Sequence, residues 1–247
     1  MWVDTHAHIQ LASESARALL SRAVDVDWVV VPGIDLASSE AALTLADQYP
    51  SRVIASAGLH PHEARRWGEQ GAEIARLARL AGAVGETGLD FYRNLSSERD
   101  QLEAFQAQAE LAIELDKPLI VHCRDAFGAV HEVVESLGCG GRTILHCWTG
   151  GRRWTKRFLD LDVTFSFAGP ITYEGGDDVR AAASIVPHGK ATVETDTPYL
   201  TPPPDRGLPN EPANVAAVGE ALARVWKTSV EEVAKVTTVA AEKAFRR

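Results

Sequence analysis

Residues 3–9 read VDTHAHI. Side chains alternate along a strand, so Asp4, His6 and His8 share one face of it while apolar neighbours take the other. A buried strand has no packing use for three polar, metal-capable groups on one side. Seven further β-branched runs follow: VDWVVVPGI (26–34), RVIASAGLH (52–60), AGAVGETGLD (81–90), KPLIVHC (117–123), RTILHCW (142–148), DVTFSFAG (162–169) and ATVETD (191–196). Between them lie segments with helical spacing. In SSERDQLEAFQAQAELAIELDKP (96–118), Ser96 or Ser97 can cap, and Leu102, Phe105, Ala109, Ala112 and Ile113 make an apolar stripe that stops before Pro118. Eight strand–helix units in 247 residues predict an α/β protein, a (β/α)8 TIM barrel forming one domain over 1–247. An open doubly wound sheet would open with a Gly-rich dinucleotide fingerprint, and the chain has none.

With 45% hydrophobic residues, the chain has the composition of an ordinary globular protein with a large core. Cys123, Cys139 and Cys147 form no CxxC pair, so the expectation is free thiols in a reducing cytoplasm. No basic segment leads into an apolar one at the N-terminus, and no apolar run approaches membrane-spanning length, so no membrane partner is expected. No obligate protein partner can be inferred either. A formal charge of −9 argues against a sequence-independent DNA coat but leaves room for a local basic patch that steers a polyanion.

In a barrel, function gathers where the strands end. His6 and His8 close the first strand, His60 the third, His122 the fifth, His146 the sixth and Asp196 the eighth, while Glu86 lies near the end of the fourth. Alternation puts Ile120 with His122 and Ile144 with His146 on the inner face. It sends Cys123 and Cys147 outward, as packing against helices. One histidine at a strand end is most often a hydrogen-bonded core residue. Four histidines and two acids converging on one mouth differ, because holding them without counter-charge costs several kcal/mol each, roughly. Divalent cations remove that cost, and six ligands exceed the needs of one catalytic ion, so two are expected. Asp4, lower on the first strand's face, is expected to orient a ligand histidine.

The ordered motifs DTHAH, GLHPHE, GETGLDFYR, KPLIVHCRDA, LHCWTG, ITYEG, ETDTPYL and NEPANV resemble the TatD family of metal-dependent hydrolases and DNases, in the amidohydrolase superfamily, along essentially the whole chain. The resemblance implies one metal held by His6, His8, Glu86 and Asp196 and a second by Glu86, His122 and His146, with Glu86 bridging. The chain departs from the family pattern at Pro209, where a basic residue usually precedes NEP, and at Trp148–Thr149, which replace the commoner Phe-Ser. Four imidazoles favour Zn, Mn, Co or Fe on ligand preference, whereas TatD-like nucleases are commonly described as Mg-dependent.

Two such ions clamp a phosphate oxygen and lower the pKa of a shared water. Asp196 is expected to bind metal and act as general base, and Glu194, two residues earlier on the same face, to pair with a ligand histidine or an arginine. His60 is expected to contact a substrate phosphate, whereas His62, entering a loop after Pro61, reads as a surface histidine. Arg93 and Arg124 lie at the metal end and can meet a nucleic-acid backbone. Trp148 and Tyr199 can stack a base. Arg152, Arg153, Lys156 and Arg157 lie at that end too, although such a run is more often a solvated helix face. The Pro-rich TPYLTPPPDRGLPNEP (197–212) is expected to wall the site as a long loop.

The leading expectation is therefore a deoxyribonuclease of the 3′–5′ exonuclease type, with DNA as substrate and two divalent ions (Zn, Mn or Mg). A rival in the same superfamily is a C–N or ester hydrolase, such as a D-aminoacyl-tRNA deacylase, because the same nucleophile attacks phosphorus or carbonyl carbon. A metal-stabilised nucleic-acid-binding module without turnover would have no use for Asp196.

Overall fold

The computed structural model describes all 247 residues. Eight parallel strands form one sheet in sequence order: β1 (Trp2–Asp4), β2 (Val26–Pro32), β3 (Val53–Ala57), β4 (Ala83–Asp90), β5 (Leu119–Arg124), β6 (Thr143–Leu145), β7 (Thr164–Phe167) and β8 (Ala191–Val193). Helices α1 (Ala16–Arg22), α2 (Leu36–Gln48), α3 (Trp67–Leu80), α4 (Glu98–Glu114), α5 (Phe127–Ser136), α6 (Gly151–Leu159), α7 (Asp177–Ala183) and α8 (Val215–Trp226) follow the strands in turn, and α9 (Val230–Phe245) is added at the end. This is the expected (β/α)8 barrel. No helix is long and apolar enough to cross a membrane.

Three features of the ring decide where the polar side chains go. The first is its seam. β8 and β1 share no regular ladder; the residues just beyond them join instead, Thr5 N–H donating to Val193 O (3.1 Å), Asp196 N–H to His6 O (2.9 Å) and His8 N–H to Thr197 O (2.7 Å). The bonds that close the barrel therefore fix the backbones of His6, His8 and Asp196 against one another. The strands are shorter than the apolar runs suggested: His6, His8, His60, His146 and Asp196 lie one to four residues past their strands.

The second is a bulge in β4. Val84 pairs with Leu119 and Thr87 with Val121, so three residues of β4 oppose two of β5. Below the bulge Ala83 packs inside the ring with Ile120, and Val84 outside it with Val121. A one-residue insertion reverses the alternation. Glu86, mid-strand and 2% exposed, thereby turns inward, and Thr87 turns outward to accept from Gln108 of α4. Only glycine fits at Gly85, which has φ +121° and where a Cβ would stand 2.5 Å from Ile120 O.

The third is a plug. α9 crosses the N-terminal end of the barrel and places Phe245 edge-on to Trp28 inside the ring, beside Val3, Val30, Ile120 and Ile144. Burying two such rings stabilises the fold by about 2 kcal/mol or more each.

Helix α4 starts where the sequence signals it, with the Ser97 hydroxyl accepting from Asp100 N–H. Its inner face departs from the apolar stripe. Ile113 is 38% exposed, while Gln101 and Gln108 are fully buried and bond the backbones of Asp90, at the end of β4, and Leu59, in the loop after β3. The Pro-rich loop is long, as expected, and is pinned by buried Asn210, whose amide donates to Thr195 O and Tyr199 O.

Candidate metal centre

Glu86 stands at the centre of the mouth with each carboxylate oxygen facing a different set of side chains. Oε2 lies 3.3 Å from His6 Nε2 and 3.4 Å from His8 Nε2. Asp196 Oδ1 completes that side at 3.8 and 3.7 Å from the same two nitrogens. Oε1 lies 3.1 Å from both His122 Nδ1 and His146 Nε2, and 3.4 Å from His60 Nε2. All six expected ligands thus converge, on the two sides of one carboxylate.

The far nitrogens tell the histidines apart. His8 Nδ1–H donates to Pro32 O (3.1 Å), His146 Nδ1–H to Glu194 Oε1 (3.1 Å), and His122 Nε2 sits 3.4 Å from Asp90 Oδ2. An acceptor on one nitrogen keeps the proton there and leaves a lone pair on the other. His60 is reversed. Its Nδ1 accepts from His62 N–H (3.2 Å), so the neutral ring carries its proton on Nε2 and aims a donor into the mouth. Although His60, Glu86 and His122 are close enough to share an ion, this tautomer makes His60 a hydrogen-bond donor and not a ligand.

The electrostatics suit cations. Burial pushes His6 down to about 4, helped by the neighbouring His146, and pushes His60 down to about 4, so both rings are neutral near pH 7. Burial raises Glu86, but the imidazoles of His146, His60 and His6 outweigh it and hold the carboxyl well below its usual range. Burial also lifts Asp196 to about 6. His6 Nε2 and His8 Nε2 face each other at 3.0 Å, an arrangement of two lone-pair donors that needs a proton or a cation between them. A donor set of imidazole nitrogens and carboxylate oxygens fits divalent ions of the Zn, Mn or Mg kind.

A sequence profile of the TatD-related DNase family matches residues 3–246. The chain belongs to that family of metal-dependent hydrolases. Among its relatives in the TatD family, the metal-dependent hydrolase YabD of Bacillus subtilis is 32% identical over 258 aligned positions, covering 100% of this chain and 99% of that protein. The 3'-5' ssDNA/RNA exonuclease TatD of Edwardsiella piscicida is 35% identical over 235 positions, 92% of this chain and 90% of that one. The crystal structure of YJJV, a TatD homologue from Escherichia coli K12, superposes with a TM-score of 0.92 at 26% identity, covering 100% of this chain and 98% of the other.

Around this TatD-family cluster, several expectations hold and several do not. Glu194 is fully buried and accepts from His146 Nδ1–H and Cys147 N–H, the histidine pairing expected of it. Asp4 touches no imidazole. Its carboxylate accepts from His6 N–H, Thr195 N–H and the Thr195 hydroxyl, so it ties the two loops at the seam, and burial raises it to about 8. Trp148 cannot stack a base: it is 1% exposed, packed among Phe127, Phe158 and Phe165, with its indole N–H donating to Thr155. Tyr199 is 55% exposed and stands edge-on to His8, where a base can reach it. Arg93 and Arg124 are exposed on the rim, the latter 4.0 Å over the Tyr92 ring.

The structure departs from the sequence pattern at two more residues and adds one that the sequence reading missed. His62 is no plain surface histidine, since its Nε2 lies 2.9 Å from Asp90 Oδ2 and its ring packs edge-on to His60. Cys147 does not pack against helices. With φ +43° it turns out of the strand alternation, and its thiol feels Asp196, Glu194 and Arg124 at the mouth, burial raising it well above its usual range. Asp90, which no motif singled out, is buried beside His122 and His62, and accepts from Tyr92 and Arg93 N–H. Its position four residues after Glu86 on the same strand face was the available signal.

Proposed function

We propose that this chain, with 1–247 as one catalytic domain, hydrolyses phosphodiester bonds with two divalent cations, as a nuclease of the 3′–5′ exonuclease type. The observation that carries this is the division of Glu86 between His6, His8 and Asp196 on one oxygen and His122 and His146 on the other. The first set would hold one ion and the second set another, with Glu86 common to both. Bound there, divalent ions supply the Lewis acidity that neutralises phosphate charge and makes water nucleophilic near neutral pH.

The protein's own groups do the rest. Asp196, at 14% side-chain exposure, is the acid of the cluster most open to the mouth. It accepts the proton of the attacking water on its carboxylate and returns it to the departing alkoxide, which balances the step. His60 Nε2–H donates to a phosphate oxygen as charge builds on it. Glu194 holds His146 in the ligand tautomer, and the Asp90 carboxylate stands 3.4 Å behind His122. Arg93, Arg124 and Tyr199 receive the polymer on the rim. The name of the Edwardsiella relative, an exonuclease of single-stranded DNA and RNA, supports a nucleic-acid substrate.

The test is to incubate metal-loaded protein and its Asp196→Asn variant with single-stranded DNA, duplex DNA, RNA and a D-aminoacyl ester. The reading expects nucleotide release by the parent and none by the variant. Ester hydrolysis without phosphodiester cleavage would replace it with the deacylase reading, and binding without turnover would replace it with a non-catalytic module.

A further inference from the structure

The two flanks of the mouth carry opposite charge. On the β4–β6 flank, the segments 91–94, 124–128 and 150–157 hold Arg93, Arg124, Arg152, Arg153, Lys156 and Arg157 against the single acid Asp125. On the β7–β8 flank, 173–180 and 197–211 hold Glu174, Asp177, Asp178, Asp205 and Glu211 against Arg180 and Arg206. Arg180 is already committed to Asp177 and the carbonyls of Ile171, Tyr173 and Glu174. Four exposed cations elsewhere on the barrel are paired, Arg22 with Glu14, Arg76 with Glu73, Arg79 with Glu114 and Arg246 with Asp116, whereas none of the six on this flank makes an ion pair. The arginines of α6 stand instead against an aromatic face, Arg157 4.8 Å and Arg153 6.0 Å from the Trp154 ring centre. In a chain of net charge −9, a concentration of unpaired cations at one place is a surface that attracts an anionic partner.

The basic flank is continuous with the site. Arg124 immediately follows the strand residues that present His122 and lies over the exposed ring of Tyr92. The first turn of α5 follows, where Phe127 meets Trp154 at 6.1 Å and an added Cβ on Gly128 would stand 3.5 Å from the same ring. Trp154 lies in the first turn of α6, whose exposed face carries Arg152, Arg153, Lys156 and Arg157. Arginines alternating with aromatic rings along a strip suit a single strand, whose phosphates need cations and whose unpaired bases need flat apolar surfaces.

We propose that the strip from Tyr92 and Arg124 across Trp154 to the outer face of α6 is a track that binds the body of a single-stranded nucleic acid several nucleotides from the bond being cut. The acidic β7–β8 flank repels the polyanion, so the strand is held from one side only and its end lies at the Glu86 cluster. This rests on the nuclease reading of the site and deepens it: the enzyme prefers long strands with a free end.

The test measures binding and turnover separately. Anisotropy of a labelled dT 20-mer on the intact chain, with chelator present to prevent cleavage, reads the track alone. Arg153→Ala/Arg157→Ala weakens binding about tenfold and lowers the log–log salt slope by about 1.4, at about 0.7 for each phosphate no longer neutralised. Lys235→Ala/Lys243→Ala on α9, at the other end of the barrel, changes neither. In cleavage with metal, the arginine variant loses about tenfold in kcat/KM on the 20-mer and under twofold on a dinucleotide, and linear 20-mer outcompetes its circularised form. An equal loss at both lengths, unchanged 20-mer binding, or tighter binding of polyglutamate-bearing peptide than of dT would overturn the track. If no phosphodiester is cleaved yet the arginine variant still loses 20-mer affinity, the track stands and the nuclease reading falls.

Discussion

The two ends of this barrel are built from the same eight strands to opposite requirements. At the N-terminal end, Trp28 and Phe245 meet inside the ring with Val3, Ile120 and Ile144 in an apolar cluster. At the C-terminal end the continuations of those strands gather five imidazoles, four of them buried, and the buried carboxylates of Glu86, Asp90 and Glu194 within bonding distance of one another. One end gains stability from burial. The other accepts a desolvation cost because the gathered lone pairs can bind charge, and a site that is ready for cations is strained without them. Substitutions at the two ends should therefore separate into losses of chemistry and losses of stability.

The largest effect is expected at Glu86. Glu86→Gln removes the charge that both sets of side chains face, and should cost more than about a thousandfold in kcat/KM and reduce bound metal measured by elemental analysis, with little change in the thermal midpoint of the chelated protein. A variant that kept full metal content and activity would end the case for a shared carboxylate. The mirror experiment is Phe245→Ala, which opens a cavity at the plug. It should destabilise by about 3–5 kcal/mol in urea unfolding and leave kcat near that of the parent. A selective loss of kcat with stability intact would mean that the two ends are not independent.

Metal itself tests the cost at the mouth. Ions at about a thousand times their dissociation constant should stabilise by about 4 kcal/mol, raising the unfolding midpoint by about 10 °C over chelated protein. The gain should vanish in Glu86→Gln and survive in Phe245→Ala. Next in size is Glu194→Gln, which retains an acceptor for His146 Nδ1–H and Cys147 N–H but loses the charge behind the imidazole. Metal affinity should fall about 10–100-fold by titration calorimetry, and unchanged affinity would reduce Glu194 to a backbone clip.

The smallest effect lies back at the N-terminal end. Arg246, just past α9, and Arg142 hold Asp116 at about 2. The folded value lies below the unfolded one of about 3.9, so this contribution is complete above about pH 4 and is lost as pH falls toward 2. Thermal melts of Asp116→Asn should show a shallower decline over that window than the parent's, and the difference should shrink in high salt because the cluster is exposed. A difference appearing near neutral pH would have another origin.

The eight strands were legible because each is a β-branched run bounded by turn and helix signals, and alternation correctly sent Ile120 and Ile144 inward with Val121, Leu145 and Cys123 outward. Alternation failed where the backbone left regular strand geometry. Cys147, in the left-handed region, points to the mouth, and Trp148 turns back into an aromatic pocket. Asp4 looked like an orienting partner because it shares a face with His6, yet its bonds run to the seam.

By itself, the sequence determined the number and order of the strands, which residues can bind metal, and that those residues gather at one rim, because strand polarity places every strand C-terminus at the same end of a parallel barrel. The tertiary structure alone decided which oxygen of Glu86 faces which histidines, that His60 aims a proton where its neighbours aim lone pairs, and that one flank of the mouth is basic and the other acidic. Those facts depend on contacts between segments far apart in the chain: a bulge set against β5, a seam between the first and last strands, and loops whose neighbours no local pattern specifies.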